Sequence, residues 1–391
     1  MAAASPSVMT GADVLVRSGF ATLKGMRVGL LTNHTGTVVT PQGVRPTIDV
    51  LHESTAVELV SLFSPEHGIR GDAEAGVKVA SDIDAKTGLP VHSLYDKTNR
   101  PTPEMLRGLD ALVFDIQDVG ARYYTYAWTM VLAMRAAAEN HVKFVVLDRP
   151  DPIGGVLMQG RTLDTAFSTL VGLYPVPMRY GLTIGELARY INGEYHVGAD
   201  LTVIPMAGWT RAMWFDQTAL PWKAPSPNMP SLESAAHYPG TCLFEGTNLS
   251  AGRGTPIAFQ QFGAPWLDNT ELVARMQRLG LRGVRIEAVP FTPIKPGDGK
   301  YPATAVRGVR FTVTDRATYD PARTAIAALV EIQRAHADSL RFRDSHFDRL
   351  AGSGDVRRAI LAGASLTDIT ASWNTQNTAF ALKRQPYLLY F

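Results

Sequence analysis

Residues 111–148 read ALVFDIQDVGARYYTYAWTMVLAMRAAAENHVKFVVLD. Two apolar runs, 111–115 and 143–148, enclose a stretch rich in good helix formers at 127–140. A nearly continuous apolar run is what a strand shows when both its faces are covered. Strand, helix and strand in this order form a crossover unit whose two strands lie parallel. The alternation extends outward from there. The runs 26–32 (MRVGLLT) and 57–63 (VELVSLF) precede the unit, and 201–206 (LTVIPM) follows it. A helix over 183–195 opens with Thr183 and Glu186 at capping-box spacing, then repeats Ile184, Leu187, Ala188 and Ile191 along one face. The expected fold class for this half is α/β, a parallel sheet with helices packed on it.

With 391 residues the chain is too long for one ordinary core and predicts two domains. The proline-rich stretch 220–230 (LPWKAPSPNMP) is the linker candidate. Beyond it, Asn269 is expected to cap a helix carrying Leu272, Met276 and Leu279, with Gly280 as its stop. Strands at 284–289 and 308–314 follow, and Asp320 before Pro321 starts another helix. From about Asp355 the pattern is helical until Pro386.

A net charge of +2, with basic residues spread along the chain, argues against a polyanion-wrapping surface, and no nucleic-acid module is present. The single cysteine, Cys242, excludes an intramolecular disulfide and a thiolate-rich zinc site. No run of about 18 apolar residues occurs, so no transmembrane segment is expected. The first ten residues lack both a basic and an apolar signal region. An extracytoplasmic address, secreted or periplasmic, is expected with the signal absent from this chain; a cytoplasmic one stays compatible.

In open α/β sheets ligands bind beyond the carboxyl ends of the strands. Here the successive strands run into Asn33-His34-Thr35-Gly36, into Ser64-Pro65-Glu66-His67-Gly68, into Asp115, Gln117 and Asp118 followed by Gly120 to Tyr126, and into Asp148-Arg149-Pro150-Asp151. Carboxylates, His and Arg recurring at one edge predict a cleft there. Glu66, beside Pro65 after an apolar strand, is the first candidate for a general acid, since partial burial would keep it protonated near neutral pH. Its plainer alternatives are a helix cap or a pair with Arg70. Asp115 and Asp118 are candidates for a second carboxylate, although aspartates at strand ends also bind backbone N–H groups. Tyr123, Tyr124 and Tyr126 suit stacking on a sugar ring or packing in a core. The segment 242–255, CLFEGTNLSAGRGT, sets Glu245, Asn248 and Arg253 among glycines that let backbone approach a ligand. It matches neither a Walker loop nor a dinucleotide fingerprint, so no cofactor is expected. His34, Glu66, His67, Asp72 and Asp115 are conceivable metal ligands, but no H-x-x-x-H or H-E-x-x-H spacing occurs, and no metal is expected.

The segments LFSPEHGIRGDAEAG, LVFDIQDVGARYYTY, VLDRPDPIGG, PSPNMPSLESA and YPGTCLFEGTNLSAGRGT resemble the exo-β-N-acetylmuramidases of bacterial cell-wall recycling, formerly a domain of unknown function. The similarity runs from about Gly11 to the end and includes ASWNTQNTAFALKRQPYLLY. It implies a Rossmann-like domain over 11–225, a smaller α/β domain over 226–391 and an active-site cleft between them. It also implies a glycosidase of the exo-β-N-acetylmuramidase or hexosaminidase type, acting without cofactor on peptidoglycan-derived oligosaccharides or muropeptides. Glu66 carries over as the catalytic glutamate. Asn33, His34, His67, Arg70, Gln117, Asp118, Arg122, Tyr124, Tyr126, Arg149, Asn228, Asn248 and Arg253 carry over as cleft residues that bind substrate. The chain departs from the family pattern over 295–309, where members have a longer, differently composed segment.

The lactyl carboxylate that distinguishes the muramyl sugar from glucosamine calls for a cation, and Arg122 or Arg253 is expected to read it. Glu66 would protonate the leaving oxygen, with Asp115, Asp118 or Glu245 as partner, or with the substrate's own acetamido group as nucleophile. Two rival readings are a muropeptide-binding protein without turnover and a metal-dependent amino-sugar hydrolase using His34, His67 and Asp115.

Overall fold

A computed structural model describes residues 8–69 and 81–391. In chain order its strands are β1 (Arg27–Thr32), β2 (Thr37–Thr40), β3 (Gly43–Pro46), β4 (Glu58–Ser64), β5 (Asp82–Ile83), β6 (Pro90–Ser93), β7 (Ala111–Asp115), β8 (Lys143–Leu147), β9 (Leu201–Ile204), β10 (Gln261–Ala264), β11 (Val284–Phe291) and β12 (Val306–Val313). Seven of them form one sheet in the order β5-β6-β4-β1-β7-β8-β9. Every neighbouring pair is parallel except β5 with β6. The five apolar runs read from the sequence are the central and distal strands of this sheet. Its order reverses direction between β1 and β7, the place where such sheets open a crevice.

Both faces of the sheet are covered, which is why these strands lack polar alternation. On one side Val28, Leu30, Leu62, Val113 and Val145 join one apolar cluster. On the other, Leu31, Phe114 and Val146 join a larger cluster that continues through Trp128 and Leu187 to Phe244, Phe262, Phe311 and Leu329. That second cluster reaches the antiparallel sheet β10-β12-β11 and the helix Pro321–His336. A single core thus underlies the parallel and the antiparallel sheets.

The helices end where their capping chemistry places them. Thr183 and Glu186 form the reciprocal cap of helix Ile184–Glu194. Asp320 caps Pro321–His336, with Pro321 in the first turn. Helix Asn269–Arg278 is capped by Asp268 instead of Asn269: the Asp268 side chain accepts from the Glu271 amide at 3.0 Å, while Asn269 donates to the Gly308 carbonyl at 2.8 Å. The helical C-terminal segment is divided into Gly354–Leu361, Leu366–Thr370 and Trp373–Arg384.

The last residues return to the first sheet. The Tyr390 hydroxyl donates to Asp148 Oδ2 at 2.6 Å and accepts from the Met206 amide at 2.8 Å. Asp148, at the end of β8, also accepts from Thr183 at 2.7 Å and from the Gly185 amide at 2.8 Å. The Leu389 amide donates to Glu186 at 2.8 Å. The stretch 220–230 crosses the carboxyl edge of the same sheet. Its Pro225 carbonyl accepts from the Tyr126 hydroxyl at 2.7 Å, and its Ala224 carbonyl meets His34 Nε2 at 2.7 Å.

Candidate active site

β4 delivers Glu66 to the carboxyl edge of the sheet, where the side chain is 7% exposed. Thr125, the first residue of helix Thr125–Glu139, donates its hydroxyl to Glu66 Oε2 at 2.6 Å. One carboxyl oxygen is therefore held at the first turn of a helix. Tyr95 also hydrogen-bonds Glu66, and burial together with the Glu66 charge pushes its hydroxyl above the ordinary tyrosine range. The next residue, His67, has φ of 70°, a left-handed conformation that side chains with a Cβ avoid. Such strain, on the order of 1 kcal/mol, survives only where the surroundings hold it. His67 stands edge-on to the Tyr126 ring, with centroids 6.3 Å apart. Tyr126 in turn meets Tyr124, and Tyr124 meets Tyr238, each edge to face at 5.0 and 5.8 Å. One wall of the cleft is thus a carboxyl group beside an aromatic lining.

The facing wall comes from the turn Cys242–Gly246 and the glycine-rich segment after it. Arg253 donates from Nε to Glu245 and lies 5.2 Å over the Phe259 ring. Burial works to raise Glu245, but the charge and hydrogen bond of Arg253, with Lys300 and His346 behind it, hold its carboxyl below the ordinary range. Two glycines bring further segments onto this wall. At Gly254, where φ is 75°, a Cβ would fall 2.7 Å from the Ile294 carbonyl, so the chain at 294–298 can close over it. Lys300 fastens that chain, donating to the carbonyls of Phe244, Glu245 and Leu249 at 3.1, 3.2 and 2.9 Å. At Gly246 a Cβ would fall 2.6 Å from Phe347 Cα, so only glycine admits the helix Asp344–Ala351. These contacts add Asp298, Arg343 and His346 to the rim. Between the walls lies a cleft of about 270 Å³.

The structure brings Glu66, His67, Tyr124, Tyr126, Asn228, Glu245 and Arg253 together on this cleft. Eight other residues expected there are occupied elsewhere. Asp115 is wholly buried and holds Arg149 through Nε at 2.6 Å and Nη2 at 3.0 Å, with Thr47 as a third partner at 2.6 Å. That ion pair accounts for both Asp115 and Arg149. Asn33 closes the turn after β1, accepting from the Thr35 amide and hydroxyl at 2.9 and 2.6 Å. His34 turns to the Ala224 carbonyl. Gln117 spans the carbonyls of Asp118 and Pro150, both at 2.8 Å. Asp118 accepts from Tyr180 and from the Gly120 amide, and burial raises its pKa to about 6. Arg122 is fully buried and donates to the carbonyls of Arg161, Val176 and Leu350 at 2.8, 3.2 and 2.6 Å, so it is out of reach of a ligand in the cleft. Asn248 ties two loops, donating to the Ser339 carbonyl and accepting from the Arg341 amide, each at 2.9 Å. Arg70 and Asp72 lie outside the described residues.

Tyr95, Thr125, Tyr238, Phe259, Asp298, Arg343 and His346 line the cleft without having been singled out as ligand contacts in the sequence. Thr125 and Tyr238 lie inside motifs already quoted, where a hydroxyl in a helix's first turn and an aromatic beside Pro239 were the available signals. Asp298 and Arg343 sit in loops with no periodicity, brought in by tertiary tethers alone. Among the described residues no group of three or more His, Cys, Asp or Glu stands together as a metal site. His34 and Asp115, two of the conceivable metal ligands, are committed to Ala224 and Arg149.

Comparison with known proteins sets this geometry in a family. Residues 28–233 match the N-terminal model of exo-β-N-acetylmuramidase NamZ, and residues 236–390 match its C-terminal model. The chain is 46% identical over 389 residues to the peptidoglycan β-N-acetylmuramidase NamZ of Bacillus subtilis (strain 168), covering 99% of this chain and 92% of that protein. Two crystal structures of DUF1343 family proteins from Bacteroides fragilis NCTC 9343 share the fold. One superposes with a TM-score of 0.91 at 37% identity and the other with 0.75 at 33%, each covering 98% of this chain and 99% of its own. The chain belongs to the exo-β-N-acetylmuramidase NamZ family.

Proposed function

We propose that this protein is an exo-acting glycoside hydrolase that releases terminal N-acetylmuramic acid from peptidoglycan fragments, with Glu66 as general acid and base. The observation that carries the reading is Glu66 at the mouth of an aromatic-lined cleft, fixed by Thr125 and set on a strained turn. Aromatic faces suit the apolar faces of a pyranose ring, and an immobilised carboxyl group suits proton transfer to a glycosidic oxygen. In this reading Glu66 gives its proton to the leaving oxygen as the bond to the anomeric carbon breaks, then takes one from the water that replaces it. The oxocarbenium-like centre needs a second partner. Glu245 faces the cleft and is drawn toward its ionised form by Arg253, which suits electrostatic support of that positive charge. The substrate's acetamido oxygen is the alternative nucleophile. A preference for muramyl over other N-acetylhexosamine residues belongs to the same proposal, as does an extracytoplasmic place of action, which the location of the substrate supports.

The test is chromophore release from para-nitrophenyl β-N-acetylmuraminide beside the corresponding glucosaminide, with wild type and Glu66→Gln. The expected result is turnover of the muraminide that falls by at least about a thousandfold in the variant. No turnover by folded wild-type protein would overturn the reading. Unchanged turnover in the variant would remove Glu66 from it.

A further inference from the structure

We infer that Arg343 is the specificity residue that reads the anionic substituent of the sugar, the lactyl carboxylate; this rests on the function proposed above. The cleft wall carries three carboxyl groups, Glu66, Glu245 and Asp298, against two arginines, Arg253 and Arg343. An anionic ligand enters such a site only if a cation meets it, because the carboxylates repel it over short distances. Arg253 is taken up by Glu245, so the two together present little net charge. Of the two histidines on the cleft, His67 stands edge-on to Tyr126 on the wall of Glu66, and burial lowers the pKa of His346 against the pull of Glu245, which favours its neutral form. Lys300 points its amine into three backbone carbonyls. Among the described residues Arg343 has no acidic partner: its recorded bonds are those of its backbone, the amide donating to the Gly246 carbonyl at 2.7 Å and the carbonyl accepting from Phe347 at 2.8 Å.

That backbone anchoring gives the exposed side chain a fixed root. The Gly246 carbonyl that receives the Arg343 amide lies next to Glu245, and Asn248 binds the Arg341 amide two residues earlier. Arg343 is therefore registered to the same wall that carries Glu245, while its guanidinium stays open to solvent at the rim. An unpaired fork on a fixed base can bind a carboxylate through two parallel hydrogen bonds at small entropic cost. A neutral 3-hydroxyl or a lactyl carboxamide offers it no charge to meet. Selectivity for the acid therefore sits with this residue, and Arg122 has no part in it.

The experiment compares wild type, Arg343→Gln and Arg343→Lys on three para-nitrophenyl glycosides: the muraminide, its lactyl carboxamide and the glucosaminide. Calorimetric binding of free N-acetylmuramic acid is measured alongside. Arg343 has no structural partner through its side chain, so both variants should fold as wild type does. In Arg343→Gln the preference for the muraminide over its carboxamide should fall by about tenfold or more, chiefly through KM. Arg343→Lys should keep part of the preference, because it keeps the charge and loses the fork. Binding of the free sugar should weaken by a similar factor in Arg343→Gln. An unchanged preference and unchanged binding in that variant would overturn the inference and leave the proposed function standing. Wild-type binding that weakens in the variant, without turnover of any glycoside, would uphold Arg343 and remove the hydrolase reading.

Discussion

Asp115→Asn separates a structural carboxylate from a chemical one. The substitution keeps the size of the side chain and removes the charge that Arg149 faces through two nitrogens at 2.6 and 3.0 Å. Arg149 is itself 5% exposed, and its other recorded side-chain acceptor is the Thr37 carbonyl at 2.9 Å. Removing one partner of a buried pair leaves the other uncompensated, at a cost of about 3–5 kcal/mol. Spread over the unfolding entropy of a 391-residue chain, this lowers Tm by roughly 4–6 °C. The assay is a thermal melt followed by circular dichroism, with kcat on the muraminide taken well below both transitions. The expected variant melts early yet keeps kcat within about threefold while folded, since Asp115 does not line the cleft. A variant with the wild-type melting temperature and activity reduced by orders of magnitude would refute the structural assignment and return Asp115 to the chemistry.

Gly246→Ala should displace the helix Asp344–Ala351, since the new methyl lands 2.6 Å from Phe347 Cα. A loss of about 1–3 kcal/mol in urea unfolding is expected, with muraminide turnover reduced through misplacement of the rim. A variant with unchanged stability would show that the helix yields freely. Asp151→Asn tests the pH dependence of folding. Burial raises Asp151 to about 7, so the native state holds a proton that the unfolded chain releases above its ordinary value near 4. Its contribution is complete below about pH 4 and is lost as pH rises to 7. The stability of Asp151→Asn relative to wild type should therefore improve by on the order of 2 kcal/mol between pH 5 and pH 8. A difference that stays flat in parallel urea titrations would contradict the buried-acid assignment.

Five of the seven strands of the large sheet were legible because an apolar run covered on both faces leaves a one-dimensional signature, whereas β5 and β6, at one edge, carry no such run. Glu66 was legible for the related reason that a sheet's carboxyl edge can be read off once its strands are known. The hairpin β2–β3, largely half-buried or exposed, and strand β10, with Gln261 and Gly263 among its four residues, left no such trace. The same reasoning that found Glu66 overreached at Asp115, Arg149 and Asp118. A charged residue after a strand looks alike in sequence whether it faces a ligand or another side chain, and that choice is made by packing. Arg122 shows the point most sharply. It lies within a motif full of cleft aromatics, yet its guanidinium points inward to three carbonyls. Arg343 and Asp298 show the reverse. Both stand on loops whose positions depend on tethers to Gly246, Asn248 and Lys300, and such pairings are invisible along a single chain.

The bond from Tyr390 to Asp148 bears on how the molecule is made. Asp148 directly follows β8 and leaves the ribosome long before residue 390, the partners lying 242 positions apart. Until residue 390 has emerged, this carboxyl group lacks the Tyr390 donor, and the Met206 amide lacks its acceptor. The ladder of the parallel sheet ends at β9, so its strand pairing does not itself involve residue 390. A change at residue 390 would therefore be felt first at the carboxyl end of β8 and at the Met206 amide, far from it in sequence, and only second in the helix Trp373–Arg384.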